Sequence, residues 1–205
     1  MKAGELKKIA RAFGDFLPPP WKRIGNKYLR REGDWVQMVV FYPSRWNDDY
    51  IPRSCFEFLK DPDEPTGTYL GQELVGTRHK APRWITVKET SRSMSAIFDE
   101  MARQFKPAIL AALKVTEIRR LLEARMDYWP HAYALCVMAA EAGDKAKAEH
   151  YFAAYEAQGL DPTWDSVIET RKQLKRCIKE AGTEALSRRL AKIQAEKLRA
   201  LKLTP

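Results

Sequence analysis

The chain has 205 residues, of which 45% are hydrophobic and 31% are charged, and its formal net charge is +9. This length can form one substantial core with an extension, or two small subdomains. No run of about 18 apolar residues occurs, so the sequence predicts no membrane span. The N-terminal segment has the pattern of an amphipathic helix and not of a secretory signal, so we expect a cytoplasmic protein.

The first predicted element is a helix over residues 3–17. Apolar side chains from Leu6 to Phe13 recur at helical spacing. Three consecutive prolines begin at Pro18, and their fixed φ angles and missing amide protons end a helix.

A β-hairpin is predicted next, with strands at 27–31 and 35–42 and a three-residue connection at 32–34. The first strand is polar on one face, which favours a position at the sheet edge. The second strand is mainly apolar on both faces and therefore requires cover on both sides.

The polar loop after this strand is the candidate partner-binding site. Pro43 cannot donate to a strand ladder, and charged and aromatic side chains follow it within a few residues. Tryptophan, tyrosine and arginine are enriched at the anchor positions of protein interfaces. The predicted binding residues are Arg45, Trp46, Asp48, Asp49 and Tyr50. A purely structural role, with Trp46 capping the end of the sheet, remains the alternative.

The sheet is expected to contain three or four antiparallel strands. A third strand is predicted over 53–59 and a fourth over 83–88, where apolar and polar residues alternate. Between them, residues 61–82 contain several glycines and prolines and are predicted to form a long loop, which is either functional or disordered.

From Ser93 onward the pattern is helical. Pro107 is expected to kink or restart the first of these helices, and Thr116 to be the N-cap of a further short helix. Asp161 is predicted to cap a helix that has Pro162 at its first position.

Residues 131–158 predict a helical hairpin that turns at Gly143 and Asp144. Its spacing resembles a single tetratricopeptide unit, although the motif's Trp and Tyr positions hold other residues. A solenoid needs about three such repeats, so an ordinary packed hairpin is the competing interpretation.

The positive charge is concentrated in the last 35 residues. Residues 171–205 contain eleven Lys and Arg side chains and three acidic ones, whereas the rest of the chain is close to neutral. The final helix is predicted to begin after Thr183 and to present a basic face. The residues predicted to meet nucleic acid or an acidic partner are Lys172, Lys175, Arg176, Arg188, Arg189 and Lys192.

No pattern in the sequence indicates a cofactor, a metal or a catalytic group. Its cysteines are Cys55, Cys136 and Cys177, and its histidines are His79, His131 and His150. Their spacings match no metal or redox motif, and neither a nucleophile elbow nor a phosphate-binding glycine loop is present. Asp48 and Asp49 are adjacent and would point to opposite sides of an extended chain, which does not suit paired acid–base catalysis.

The order of these elements resembles that of the bacterial domain-of-unknown-function family 4304, over about residues 5–158. The local matches are 27–31, 37–46 and 83–87. The resemblance implies a bacterial immunity or interaction protein and supplies no catalytic residues. The basic helix after Thr183 lies outside it.

We therefore predict an α+β protein with an N-terminal helix on an antiparallel sheet, followed by helices. The predicted segments are a sheet subdomain over 1–92, a helical subdomain over 93–182 and a basic helix over 183–205. The predicted function is non-catalytic protein binding, such as an immunity protein that neutralises a toxin. The alternative is a nucleic-acid-binding protein that acts through its C-terminal helices. An enzyme is the third hypothesis and would require a deep pocket that gathers His79, Arg45 and Asp48 or Asp49.

Overall fold

The structure is a computed structural model that describes residues 3–17, 20–62, 69–75, 81–109 and 115–203. The chain folds into two compact units. The sheet unit contains Met1–Glu57 and Thr66–Leu113, and the helical unit contains Phe58–Pro65 and Lys114–Pro205. Among the described residues, no helix combines the length and the apolar character needed to cross a membrane.

Six strands form one sheet within the described residues, and two helices accompany it. The strands are β1 (Lys22–Ile24), β2 (Lys27–Glu32), β3 (Trp35–Pro43), β4 (Asp49–Phe58), β5 (Tyr69–Glu73) and β6 (Ile85–Thr86). The helices are α1 (Ala3–Phe13), which continues into a 3₁₀ turn at Gly14–Phe16, and α2 (Val87–Ile109). The predicted α+β class is confirmed, although the sheet has more strands than the three or four expected.

The strands follow the order β1-β2-β3-β4-β5, and β6 pairs with the beginning of β4. The predicted β2–β3 hairpin is confirmed, but Glu32 pairs with Trp35, so two residues connect the strands and not three. Gly33 has φ +60, a conformation that glycine adopts without steric cost. The prediction that β2 lies at the sheet edge is wrong, because β1 pairs with it. Sequence reasoning missed β1, which is only three residues long and mainly polar.

Part of the predicted long loop over 61–82 is strand β5, which pairs with β4. Residues 63–68 and 76–80 of that loop lie outside the described residues. The predicted strand over 83–88 is shorter than expected, because α2 begins at Val87. The Oγ1 atom of Thr86 accepts a hydrogen bond from the amide of Glu89, and this contact starts a helix in place of further strand.

The apolar β3 is buried on both faces from Trp35 to Phe41, which confirms the prediction that it needs two-sided cover. One face packs against α1 and α2. There the Phe13 ring lies edge-on to Phe41 and Phe98, with centroid distances of 5.4 and 5.3 Å. Each such aromatic pair contributes about 0.5–1.5 kcal/mol beyond its buried area. These contacts make β3 and α1 the scaffold on which the loops of the sheet unit are held.

Helix α2 is interrupted near its beginning and not at Pro107. Ser93 has φ −135 and ψ 32, which lie outside the helical region, while the helix continues past Pro107 to Ile109. The helix is therefore not restarted at Pro107. The predicted boundary between residues 92 and 93 falls at this interruption, yet α2 as a whole belongs to the sheet unit.

Five helices build the helical unit within the described residues. They are α3 (Val115–Glu123), α4 (Trp129–Glu141), α5 (Lys145–Glu156), α6 (Asp165–Lys179) and α7 (Glu184–Ala200). The short segment from Phe58 belongs to this unit as well. The basic C-terminal helix therefore packs as part of the helical unit and is not a separate segment.

The predicted α4–α5 hairpin is confirmed. Gly143 has φ +78 at the turn, and the Asp144 side chain accepts a hydrogen bond from the Lys147 amide at the start of α5. The Cys136 Sγ atom donates to the Ala148 carbonyl at 3.3 Å, which shows how closely the two helices approach. Small residues on both facing stripes permit this approach.

Two of the predicted helix starts are wrong. Helix α6 begins at Asp165 after an extended Trp164, and Asp161 instead accepts hydrogen bonds from the amide and the hydroxyl of Thr163. This local turn competes with helix formation. Thr116 lies inside α3 and does not cap it. The start of α7 is as predicted, because Thr183 Oγ1 accepts a hydrogen bond from the Leu186 amide.

Candidate functional site

The predicted binding loop is the connection between β3 and β4. The Ser44 amide donates to the Asp49 carbonyl at 2.8 Å, and the Trp46 amide donates to Ser44 Oγ at 3.1 Å. Asn47 is bonded twice to Asp49, through its side-chain amide at 2.6 Å and through its Oδ1 atom at 3.2 Å. The loop therefore contains hydrogen bonds of its own, which restrict its backbone.

Trp46 projects from this loop with 93% of its surface exposed. It is the most exposed of the large hydrophobic side chains in the described residues. Arg45 and Asp48 are exposed beside it, and Asp49 is half-buried at the start of β4. Four of the five predicted residues are thus at or near one surface, and Trp46 does not cap the sheet.

Tyr50 does not belong to that surface, because it is fully buried. Its hydroxyl lies 2.6 Å from Thr90 Oγ1, which itself donates to the Thr86 carbonyl, so the Tyr50 hydroxyl is the donor. Burial raises the pKa of Tyr50 to about 12. Sequence reasoning placed Tyr50 in the loop because it could not show that β4 already begins at Asp49.

The predicted basic residues lie on two helices of the helical unit, and most of them have partners. Lys172, Lys175 and Arg176 are on α6, and Arg188, Arg189 and Lys192 are on α7. Their ion pairs are Lys172–Glu169 at 3.8 Å, Arg176–Glu180 at 2.8 Å, Arg188–Glu184 at 3.3 Å and Arg189–Glu180 at 2.9 Å. Hydrogen bonds from Arg176 and Arg189 lower the pKa of Glu180.

The two remaining members of this set differ from the others. Lys175 lies over the ring of Phe152, 6.0 Å from its centroid. Lys192 is exposed and forms no ion pair with any residue in the described part of the chain. The basic face expected on α7 is also narrower than its sequence indicates, because Lys197 is 5% exposed and its Nζ atom donates to the Phe58 carbonyl at 3.3 Å.

Sequence reasoning missed an apolar cavity in the helical unit. It has a volume of about 160 Å³ and lies at the start of α6. Its walls include Trp129, Tyr155, Trp164 and Val167. Trp129 and Trp164 are large apolar side chains that could have drawn attention to it, but only the packing of α4, α5 and α6 brings them together.

A second missed feature is a basic pocket in the sheet unit, with a volume of about 200 Å³. Lys7, Lys8, Arg11 and Arg23 line it. The spacing of the first three already places them on one side of the predicted first helix. Arg23 comes from β1, which was not predicted, so the complete cluster was not visible in the sequence.

The three cysteines and His131 are buried. All three cysteines are free and buried, and burial raises the pKa of Cys55 and Cys136 to about 12. Burial also lowers the pKa of His131, whose Nδ1 atom lies 2.9 Å from the Arg125 carbonyl. His79, which the enzyme hypothesis requires, lies outside the described residues. Within the described part of the chain, no three potential metal ligands come together.

Comparison with known proteins gives no match to a family model, to a curated protein or to a solved structure.

Proposed function

We propose that this protein is a non-catalytic module that binds another protein through the β3–β4 loop, with Trp46 as the anchor. The observation that carries the proposal is the 93% exposure of Trp46 on a loop whose backbone is held by its own hydrogen bonds. Tryptophan and arginine are the residue types most enriched among binding hot spots. Arg45 stands beside Trp46 in this loop.

The free energy available from burying Trp46 is large. An aromatic side chain of this kind buries about 150–250 Å² in an interface. At about 25 cal/mol per Å², this area corresponds to roughly 4–6 kcal/mol before the costs of association. Hydrogen bonds that already restrict the loop reduce the conformational entropy lost on binding, so more of this free energy contributes to affinity.

The charged residues beside Trp46 supply specificity. Arg45 and Asp48 carry opposite charges, precede and follow Trp46 in the chain, and are both exposed. A partner that offers an apolar cleft with a carboxylate and a cation at its rim would match this arrangement. The expected interface is thus an apolar centre with a polar rim.

The more specific proposal is a cytoplasmic immunity protein whose partner is a toxin. The resemblance to the bacterial family and the exposed anchor loop support it. The buried free thiols of Cys55, Cys136 and Cys177 are consistent with a reducing compartment. In this proposal Trp46 inserts into the active site of the toxin, and the loop blocks that site.

The test compares Trp46→Ala with Trp164→Ala. Trp164 is also an exposed tryptophan, at 60%, but it lies in the helical unit, so its removal controls for a general loss of aromatic surface. Candidate partners are first captured on the wild-type chain and then purified, and binding is measured by calorimetry. Trp46→Ala should weaken binding by about 2 kcal/mol or more, which is about 30-fold. Trp164→Ala should bind as the wild type does.

Equal affinity of the two variants would remove the loop from the proposal. For the immunity function, co-expression of the wild-type chain should suppress the partner's toxicity, and co-expression of the Trp46→Ala variant should not. Retention on heparin and DNA columns tests the alternative function, nucleic-acid binding. Salt-sensitive retention that is lost when Arg188 and Lys192, which are exposed on α7, are both replaced by Gln would favour the alternative function over protein binding.

A further inference from the structure

The basic pocket of the sheet unit is built by α1 and β1. Leu6, Ile9 and Phe13 of α1 face the core, so Lys7, Lys8 and Arg11 lie on the side of the helix that is exposed to solvent. Arg23 approaches from β1, and all four cationic groups line one depression. From this arrangement we infer that the pocket binds the di- or triphosphate group of a small molecule.

Packing beneath the pocket fixes the position of Arg23 relative to α1. In the β1–β2 pair, Arg23 is opposite Tyr28. The Tyr28 hydroxyl donates to the Arg11 carbonyl at 3.4 Å, and the Tyr28 ring lies edge-on to Phe13 at 6.2 Å. A Cβ atom at Gly14 would overlap this hydroxyl, so the glycine permits the close approach. The strand cation and the helix cations are therefore held together by the core.

No ion pair within the described residues neutralises the four cations, although Asp15 lies near enough to Tyr28 to act on its pKa alongside Arg23 and Arg11. None of the four forms an ion pair with any residue that the structure describes, and no carboxylate is among the lining residues. The acidic side chains nearest in sequence, Glu5 and Asp15, do not line the pocket. This contrasts with the helical unit, where Arg176, Arg188 and Arg189 are paired. Four unpaired cations repel one another, and a multiply charged anion would relieve that repulsion.

The size and lining of the pocket select the kind of anion. Pockets for drug-sized ligands usually exceed about 300 Å³, whereas this one has about 200 Å³, so it suits a phosphate group and not a whole nucleotide. No aromatic side chain lines it, and hence a nucleobase has no stacking surface there. The four cations line one small depression, which favours a compact anion over an extended nucleic-acid backbone.

The guanidinium groups of Arg11 and Arg23 are suited to two-point contacts with phosphate oxygens, and Lys7 and Lys8 add charge without a fixed geometry. Pyrophosphate carries this chemistry in its smallest form and is therefore the probe. Its binding to the full chain should be measured by calorimetry at about 150 mM salt, where weak surface attraction is screened. Orthophosphate, ADP and a single-stranded oligonucleotide are the comparison ligands.

The test variant carries two substitutions, Arg11→Gln and Arg23→Gln. The control variant also carries two, Lys179→Gln and Lys192→Gln. Each variant removes two exposed positive charges, but the control residues lie in the helical unit. The test variant should weaken pyrophosphate binding by about tenfold or more, the loss expected for charge-assisted hydrogen bonds, and the control should retain it. ADP should compete with pyrophosphate, and orthophosphate should bind more weakly than either.

Three results would overturn the inference. One is pyrophosphate binding that is no tighter than that of orthophosphate. Another is an equal loss of affinity in the test and control variants. The third is an oligonucleotide that binds through the pocket while pyrophosphate does not, which would identify a nucleic-acid surface. Trp46→Ala should leave pyrophosphate binding unchanged, so the result is independent of the proposed protein-binding loop.

Discussion

The Nζ atom of Lys60 lies 2.7 and 2.5 Å from the two carboxylate oxygens of Glu141, although 81 positions separate these residues in the chain. Nearby in sequence, the carbonyl of Phe58 accepts a hydrogen bond from the buried Lys197. Together these contacts attach the short segment that begins at Phe58 to α4 and α7. They explain why that segment belongs to the helical unit and not to the sheet unit that precedes it.

Replacing Glu141 by Ala should destabilise the helical unit. The substitution leaves the Lys60 ammonium, whose side chain is 8% exposed, without its carboxylate. Breaking a fully buried ion pair costs about 3–5 kcal/mol, and because Glu141 is partly exposed we expect about 2 kcal/mol. The measurement is urea unfolding followed by circular dichroism. Glu149→Ala removes an exposed partner 3.9 Å from Lys145 and should change stability by less than about 0.5 kcal/mol.

Lysine labelling should distinguish Lys197 from the exposed lysines of the same helix. Reductive methylation of the folded protein, read by mass spectrometry, should modify Lys192 rapidly and Lys197 slowly, because Lys197 is buried. Lys60, which is also buried, should be protected as well. After unfolding in urea, all three should react at similar rates. Rapid labelling of Lys197 in the folded protein would contradict its burial.

Tyr50→Phe should reduce stability and leave partner binding unchanged. The substitution removes the buried hydrogen bond to Thr90 while keeping the ring in the core, at a cost of about 0.5–1.5 kcal/mol. Since Tyr50 is buried, the loop that presents Trp46 should keep its affinity for the partner. A large loss of affinity together with an unchanged melting temperature would mean that Tyr50 contacts the partner directly.

Gly182→Ala should be more costly than Gly159→Ala. Both glycines have positive φ, +72 and +63, so both substitutions introduce backbone strain. At Gly182, however, a Cβ atom would also lie 3.1 Å from the Gly143 Cα, whereas at Gly159 it would meet open space. We expect about 1 kcal/mol for Gly159→Ala and a clearly larger loss for Gly182→Ala. Equal losses of stability in urea unfolding would show that the turn at Gly182 does not pack closely against the turn at Gly143.

Stability should fall as the pH rises above about 9. Burial raises the pKa of Cys55 from its ordinary value of 9.0 to about 12. Above pH 9 the unfolded chain therefore releases this proton while the folded chain keeps it, which lowers the free energy of unfolding by at most about 1.4 kcal/mol per pH unit. Urea unfolding from pH 8 to 11 measures the slope. Cys55→Ala should show a shallower decline than the wild type, and identical slopes would exclude a contribution from this thiol.

In the helical half, the hairpin turn and the last cap were predicted because their signals are local, whereas the starts of α3 and α6 were not. Gly143 and Asp144 mark the turn of the α4–α5 hairpin, and Thr183 caps α7, as their residue types and positions indicated. The sheet was predicted less completely. Strand β1 is short and polar, and β5 lies among turn-forming residues, so both depend on pairing with strands that sequence periodicity cannot identify.

Some residues of the candidate sites could be identified from local sequence, and others depend on strand pairing. The sequence placed Trp46 in a polar loop after Pro43 and left open whether it caps the sheet, and the structure shows it exposed. Tyr50, four residues later, is buried because β4 begins before it and pairs with β6. The basic pocket likewise depends on β1, which brings Arg23 to the helix that carries Arg11.

By itself, the sequence determined the α+β class, the apolar central strand, the helical hairpin and the cap of the last helix. Each of these depends on residues within one or two turns of one another, so periodicity and turn chemistry are sufficient to identify them. Only the tertiary structure decided that Lys197 and Tyr50 are buried, that Lys60 pairs with Glu141 and that Arg23 joins the cations of α1. These outcomes depend on contacts between distant parts of the chain, where the same residue is exposed or buried according to what packs against it.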